Sequence, residues 1–346
     1  MTVFASNPLS DARWDELVAR HPRASVFHER GWLEALNRTY GYEPVLLTST
    51  PQGKPLQDGI VLCRVSSWVT GTRLVSVPFA DHCEPLLDDI SEIGKFLSWM
   101  RAECASQLLK YVELRPVSAL ADSHDNPIPG CSYSLHELDL TPNLERIFVR
   151  LHKDSVQRRI RRAERSGLSC EAGRSQTLMD EFYKLLLKTR RRHRLLPQPR
   201  MWFRNLIERM GSASKIRVAR KDGTAVAVLL TLRHGSVVTY KYGCSDARFH
   251  HLGAMPLLFW RLIEDSKVEG AQKIDFGRSD LNQPSLTLFK DRFGTSRKLI
   301  TYYRYSNEAQ RPAFLPLELH ALRQLFSLLP DAVSSAAGRL LYRHIG

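Results

Sequence analysis

The chain has 346 residues, about twice the length expected of one domain, so two domains with separate cores are the simplest reading. A hydrophobic share of 43% beside 25% charged residues excludes a disordered, collagen-like or membrane-spanning chain. Lys and Arg total 50 against 36 Asp and Glu, and the net charge of +14 points to a polyanionic partner: RNA, a phosphorylated substrate or an anionic membrane surface.

Two helices open the chain, Asp11–Arg20 and Glu29–Thr39, the second with Trp32, Leu33 and Leu36 on one stripe. β-rich segments follow at 43–50, 59–66 and 73–79, divided by turn residues such as those at 51–54. A long helix is predicted over 91–108 from the stripe Ile93, Phe96, Leu97, Met100 and Cys104, then a buried strand at 111–115. Polar, proline-bearing residues 121–130 read as a loop, and Thr141-Pro142 as the start of the second domain.

The order then returns. Lys215–Arg220, Thr224–Arg233 and Ser236–Gly243 read as strands, with a turn at Lys221-Asp222-Gly223. Met255, Leu258, Phe259, Leu262 and Ile263 form a helical stripe that Gly270 ends, and Lys273–Arg278 is the next strand. Both post-helix strands set an acidic residue, Glu113 or Asp275, between apolar ones, so a duplicated unit of hairpin, strand, helix and strand accounts for both halves. The predicted domains are 1–140 and 141–308, with a helical tail at 309–346. Two tail segments, Leu315–Leu329 and Asp331–Tyr342, are amphipathic; packing on the body is the plain reading, and a membrane-surface contact the alternative.

Six scattered cysteines with no C-x-x-C spacing indicate neither a zinc ribbon nor a disulfide framework, and suit a reducing compartment. Met1–Ser10 lacks the pattern of a signal peptide, and no run approaches the roughly 18 apolar residues of a transmembrane helix, so a cytoplasmic location is expected.

Positive charge concentrates at 150–165 and 188–194. Along the first helix Val156, Ile160 and Ala163 hold the inward face while Arg158, Arg159 and Arg162 stand among the cations; the second cluster, Lys188–Arg194, ends a helix and suits its dipole. A solvated cationic face is the plain reading of any one arginine. As a pair, the clusters suit a pyrophosphate or an RNA acceptor stem, because guanidinium binds phosphate bidentately. No RNA-recognition motif, zinc finger or aromatic ladder accompanies them, so sequence-specific nucleic-acid reading is not supported.

No G-x-G-x-x-G follows a strand and no P-loop occurs, which removes the usual signatures of dinucleotide oxidoreductases and nucleotide hydrolases. Gly277-Arg-Ser279 lacks the closing glycine of a nucleophile elbow, and adjacent His250 and His251 cannot both face one metal from a helix. Residues 275–294 remain: a strand, a glycine-containing loop, a short helix, and Lys290 flanked by Phe289 and Phe293 and capped by Gly294. With the phenylalanines in the core, Lys290 is expected to emerge beside them, where a cation stabilises an oxyanion or orients a phosphate; an exposed lysine is the alternative. Gly253 opens the helix after Arg248-Phe-His-His-Leu, and helix-terminal amides there can bind phosphate.

The chain resembles the Fem-type aminoacyl and acyl transferases and the BioF2-like acetyltransferase domains of the GNAT superfamily. The resemblance spans about residues 10–305 through His28-Glu-Arg-Gly-Trp32-Leu, Pro78-Phe-Ala-Asp81-His82, Arg158-Arg-Ile-Arg-Arg-Ala163, Thr189-Arg-Arg-Arg192-His and Tyr242-Gly-Cys-Ser245. Its most specific pair is Asp275-Phe-Gly-Arg-Ser279 followed by Phe289-Lys-Asp-Arg-Phe-Gly294. It implies an α+β fold of two GNAT-like domains facing across a cleft, each a mixed, mostly antiparallel sheet flanked by helices. Fem ligases join an aminoacyl group from charged tRNA to the amine of a peptidoglycan precursor bearing a pyrophosphate; other members use acyl thioesters or serve exopolysaccharide and cell-envelope pathways.

By that resemblance Lys290 stabilises the tetrahedral intermediate, Arg192 and Trp32 contact the acceptor, and Tyr242 and Ser279 belong to substrate-binding motifs. Arg158, Arg159 and Arg162 are set near the phosphates by their charge. Gly253 and Ala254 fall in the GNAT pyrophosphate loop Q/R-x-x-G-x-G/A, whose preceding glycine is absent here. Amine attack needs a base and an oxyanion stabiliser, and Asp275 is the candidate base, with a satisfied buried carboxylate as the alternative. The implied donor is acyl-CoA or aminoacyl-tRNA, with no tightly bound cofactor and no metal; the helical-hairpin arm of some Fem ligases is not seen. Expected partners are a phosphate-bearing envelope precursor, tRNA as donor carrier, and the inner membrane face through the tail. The alternatives are a tRNA-dependent ligase of peptidoglycan bridge formation and a non-catalytic envelope-assembly adaptor binding anionic lipid. Lys290→Ala is expected to abolish transfer and leave the fold intact.

Overall fold

The computed structural model describes residues 2–106, 109–120, 128–306 and 331–345. The predicted segment Leu315–Leu329 and most of the predicted loop at 121–130 lie outside the described residues. Two compact units emerge: the first gathers Met1–Tyr133, Leu299–Pro316 and Arg339–Gly346, the second Ser134–Lys298 and Leu317–Gly338.

In the first unit, strand β1 (Phe4–Ser6), helices α1 (Ala12–Arg20) and α2 (Arg30–Tyr40), and strands β2 (Glu43–Thr48), β3 (Ile60–Val65) and β4 (Arg73–Val75) precede helix α3 (Ile93–Ser106) and strand β5 (Val112–Leu114). Asp11 caps α1 by accepting from the Arg13 amide, and Gly41, left-handed at φ 73°, closes α2. Strands β1 to β4 pair antiparallel in sequence, whereas β4 and β5 are parallel, Leu74 beside Val112, because α3 provides the crossover between them. The α3 stripe predicted from sequence packs in one cluster with Leu62, Leu74 and Val112. β4 stops short of the predicted 73–79 because the chain turns through Pro78 and Phe79, the latter at φ 62°. Burial opposes ionisation of Glu113 on β5, but Arg115 at 2.8 Å and Arg304 at 2.6 Å overcome it and hold the carboxyl below its usual range.

The second unit takes the end of strand β6 (Ile128–Asp139), helix α4 (Leu144–Arg150), a π-helical turn at Lys153–Gln157, helix α5 (Arg158–Arg165) and strand β7 (Ser169–Gly173). Helices α6 (Gln176–Arg192) and α7 (Arg200–Met210) and the strands β8 (Ser214–Lys221), β9 (Thr224–His234) and β10 (Val237–Ser245) follow. A 3-10 turn at Ala247–Leu252 leads to α8 (Ala254–Val268), β11 (Lys273–Asp280), α9 (Pro284–Asp291) and β12 (Ser296–Tyr305), which returns the chain to the first unit at Leu299. Within this unit the strand order is β6-β11-β10-β9-β8-β7. β7 to β10 pair antiparallel in sequence, and β10 and β11 are parallel across α8, as β4 and β5 are across α3. The duplication predicted from sequence is thus a repeated topology.

A bulge between Tyr240 and Tyr242 turns these rings to opposite faces of β10: Tyr240 packs on Phe259, and Tyr242 on Phe203. Pairing of β10 with β11 is confined to Val237–Thr239 and Lys273–Asp275. Phe259 of α8 stacks on Phe276 of β11 at 5.1 Å and meets Phe293 at 4.8 Å, which seats α9 on the same core. The last helix, α10 (Asp331–Ile345), has its final turn fixed to the first unit, where the Tyr42 hydroxyl donates to the Tyr342 carbonyl and Arg73 caps the His344 carbonyl.

Candidate active site

The second unit holds a cavity of about 250 Å³. Its walls are Val226 and Ala227 of β9, Ser245 at the end of β10, Phe249 and His250 of the 3-10 turn, and Ala254, Met255 and Pro256 at the head of α8. Ser155, Val156 and Arg159 close it from the π-turn and α5, and Phe289, Arg292 and Phe293 from the end of α9. Most of these side chains are apolar, and Ser245 and His250 make a polar edge where β10 ends.

Local chemistry explains that gathering. Asp246 caps the 3-10 turn by accepting from the Arg248 amide, and its carboxylate is held by Arg248 at 2.7 Å and Lys188 at 2.8 Å. Those hydrogen bonds keep it well below the usual carboxylate range. Thr189 accepts from the Ser245 amide at 3.0 Å, and Arg192 donates to the Ser245 carbonyl at 3.0 Å, so the basic end of α6 is tied to the end of β10. The Ser245 hydroxyl lies 2.9 Å from His250 Nε2. Burial, then the nearby Arg192 and Arg159 charges, lower the His250 pKa, so the ring is neutral at neutral pH.

Gly253 is left-handed at φ +80°, and a Cβ there would stand 2.5 Å from the Arg159 carbonyl oxygen, so glycine alone lets α5 approach the head of α8. Helix α8 then presents its first-turn amides, with Pro256 carrying no N–H. Arg159 lines the cavity beside this positive end, and Arg162 donates to the His251 carbonyl at 3.4 Å. A helix N-terminus with guanidinium groups around it suits an anion.

Of the residues singled out from sequence, the structure brings together Arg159, Gly253 and Ala254 at the cavity, with Arg162 and Arg192 close by. The others lie elsewhere. Lys290 does not emerge as an exposed cation: it is 3% exposed, and its ammonium donates to the carbonyls of Gly277 at 2.9 Å and Arg278 at 2.8 Å. Asp275 is the buried, hydrogen-bonded carboxylate of the alternative reading, accepting from the Gly277 amide at 2.7 Å. Lys290 and Asp275 therefore grip the same short stretch of β11 from two sides. Ser279 is buried there, and its hydroxyl has no hydrogen-bond partner among the described residues.

Tyr242 faces α6 and α7, donating to Gln198 at 2.7 Å and accepting from Trp202 at 3.0 Å, so it is a strut away from the cavity. Arg158 is exposed and paired with Asp154 at 2.7 Å. Trp32 belongs to the first unit, fully buried and edge-on to Phe27 at 5.0 Å, which makes it a core side chain there.

Sequence reasoning missed Ser245, His250 and Arg292 as cavity residues. His250 was weighed only as a metal ligand, though its place in the partial pyrophosphate loop was a signal. It also missed His136 on β6, whose side chain is fully buried. Burial, then the positive charge of Lys290, push the His136 pKa down to about 4. Among the described residues no group of three His, Cys, Asp or Glu is placed to hold a metal ion, and no helix is long and apolar enough to cross a membrane.

Residues 150–284 match the family model described as an acetyltransferase (GNAT) domain, and this stretch contains most of the cavity. Fold, cavity and match define the class: the second unit carries a GNAT-type acetyltransferase domain, and the protein is an acyl-group transferase. Within that class the chain is similar to FemX, with a TM-score of 0.69 and 13% identity over 94% of this chain and 100% of that one. A tandem GNAT protein from the clavulanic acid biosynthesis pathway gives 0.56 and 11% over 90% and 99% of the two chains. The C-terminal domain of a candidate lysylphosphatidylglycerol synthetase from Agrobacterium fabrum gives 0.55 and 15% over 92% and 96%. No curated protein matches the sequence. The fold is therefore the α+β tandem GNAT arrangement that the Fem-type motifs implied.

Proposed function

We propose that the protein transfers an acyl or aminoacyl group from an activated donor to an amine of a phosphate-bearing cell-envelope precursor. The observation that carries this reading is the cavity at the head of α8, where apolar walls suited to an acyl or thioester arm meet helix amides and Arg159, suited to donor phosphates. His250 is the one imidazole among the residues that line the cavity. Held neutral, it takes the proton of the attacking amine through the Ser245 hydroxyl, which stands 2.9 Å from Nε2 and passes its own proton to the ring as it accepts the amine's; Arg192 faces the same nitrogen at 3.4 Å.

In the transfer step the amine nitrogen bonds to the donor carbonyl carbon, the carbonyl oxygen takes the negative charge, and collapse expels the thiolate or ribose oxygen. Lys290 and Asp275 act as positioning residues, holding the carbonyls and the amide of β11 in place. Acyl-CoA is favoured as donor by the match to an acetyltransferase domain. The likeness to FemX and the cationic end of α6 support aminoacyl-tRNA as the second reading. The envelope acceptor follows from the Fem-type motifs, and the likeness to a candidate lysylphosphatidylglycerol synthetase supports a phosphate-bearing one.

The test offers the purified protein a nucleotide-linked peptidoglycan precursor with either a mixture of acyl-CoAs or charged tRNA, and reads products by mass spectrometry. The expected product is the acceptor heavier by the donor's acyl group, formed by wild type and lost in His250→Gln. No mass gain with either donor class refutes the proposal.

A further inference from the structure

Several cations around this site are paired. Arg158 pairs with Asp154, Arg297 with Asp291, Lys188 and Arg248 with Asp246, and Lys290 with two carbonyls. Arg292 is different. It is half-buried against the cavity, its Nε is buried with no hydrogen-bond partner, and among the described residues its guanidinium meets no carboxylate. Asp291, its chain neighbour, is already taken by Arg297 at 2.7 Å.

The backbone that carries this side chain is fixed. The Arg292 amide donates to the Leu288 carbonyl at 3.1 Å, its own carbonyl accepts from the His152 amide at 2.8 Å, and the next residue, Phe293, is fully buried. A cation just past the C-terminal end of α9 suits the helix dipole, which explains an arginine there but not a buried donor left unpaired. An anion in the cavity would supply the missing acceptor.

Arg292 and Arg159 both line this cavity. The Arg292 carbonyl is held by the His152 amide, and the Arg159 carbonyl lies beside Gly253. The π-helical turn at Lys153–Gln157 lies between His152 and Arg159 in the chain and contributes Ser155 and Val156 to the wall.

We propose that Arg292 is the receptor for an anionic group, carboxylate or phosphate, on the ligand of this cavity. That ligand then carries two anionic groups, phosphate against Arg159 and the head of α8 and a second group against Arg292, beside the apolar wall. The proposal rests on reading the cavity as the donor site, and it narrows the donor from any acyl carrier to one with this charge pattern.

Binding is measured by calorimetry for wild type, Arg292→Gln and Arg292→Lys, with coenzyme A, butyryl-CoA, succinyl-CoA and inorganic pyrophosphate as probes, and thermal unfolding of the ligand-free proteins alongside. If the second group is a carboxylate on the acyl chain, wild type binds succinyl-CoA at least tenfold tighter than butyryl-CoA, and Arg292→Gln erases the difference. If it is a phosphate of the carrier, Arg292→Gln weakens coenzyme A and pyrophosphate at least tenfold, and Arg292→Lys restores part of the loss. In either case ligand-free Arg292→Gln unfolds close to the wild-type temperature, because among the described residues the guanidinium meets no carboxylate whose pairing would be lost. Unchanged affinity for all four probes in Arg292→Gln overturns the proposal, as does a lowered unfolding temperature with affinities intact, the mark of a packing role. Pyrophosphate binding that depends on Arg292 in a protein that transfers nothing from acyl-CoA keeps the receptor and discards the donor reading. Absence of binding by any probe to wild type discards the receptor.

Discussion

Gly253→Ala tests whether the head of α8 is shaped by the close seat of α5. Two terms add. Residue 253 is left-handed at φ +80°, which costs an L-residue about 1–2 kcal/mol. The new methyl would also stand 2.5 Å from the Arg159 carbonyl oxygen and 3.1 Å from its Cβ. The first is a backbone atom held within a helix, so it cannot swing aside, and overpacking of this kind costs about 1–3 kcal/mol. The sum is about 2–5 kcal/mol. For a cooperative unit of this size each kcal/mol moves Tm by about 2–4 °C, so a fall on the order of 10 °C is expected. Gly270 at the other end of α8 is the internal control: it is also left-handed, at φ +77°, but a Cβ there meets nothing within 4 Å. Gly270→Ala should show the backbone term alone. Thermal and urea unfolding of both variants measure the difference, and Gly253→Ala should also weaken binding of coenzyme A. Equal losses in the two variants would refute the claim that α5 is pressed against the head of α8.

Two further outcomes follow from buried polar groups. The His136 imidazole titrates near 6.5 in the unfolded chain and at about 4 when folded, so between those pH values the unfolded state binds more protons and stability falls as the pH drops. The loss reaches roughly 3 kcal/mol by about pH 4, and the difference between wild type and His136→Asn in urea unfolding across pH 4–7 isolates it; parallel profiles would rule it out. Lys290→Met removes two charge-assisted hydrogen bonds to the Gly277 and Arg278 carbonyls and should cost about 2–5 kcal/mol as well as transfer. That revises the expectation of an intact fold; an unchanged Tm with transfer lost would instead return Lys290 to direct contact with the reacting atoms.

Much of the architecture was legible because its strongest signals are local. The α3 and α8 stripes repeat at helical spacing, the hairpin at Asp222 and Gly223 carries its own turn chemistry, and Glu113 and Asp275 mark equivalent strands. The elements that escaped are those whose partners are far away in sequence. β6 holds Cys131, Ser132 and Tyr133, and β7 reads Ser-Cys-Glu-Ala-Gly, so neither alternates cleanly; each becomes a strand by pairing with backbone already ordered. β12 has Ser296, Arg297 and Lys298 at its start, a charged opening that hides a strand leading to buried Ile300 and Tyr302. Nor could sequence anticipate that this strand would return the chain to the first unit.

The motif positions were legible in the sequence and their depth was not, for one physical reason. Periodicity tells which residues share a face, but not how deep that face lies. Phe289 and Phe293 do flank Lys290, yet α9 sits close enough to β11 for the lysine to reach backbone carbonyls, so the cation is consumed in holding the strand. Arg292, two residues on, carries no distinguishing signal in the sequence, although the same helix end places it against the cavity with its Nε lacking an acceptor among the described residues. A buried lysine with its acceptors and a half-buried arginine without one are opposite electrostatic situations within one short motif. Arg292 Nε is the group still open to an anion, which is why the proposal places ligand recognition in this segment on Arg292 and strand positioning on Lys290.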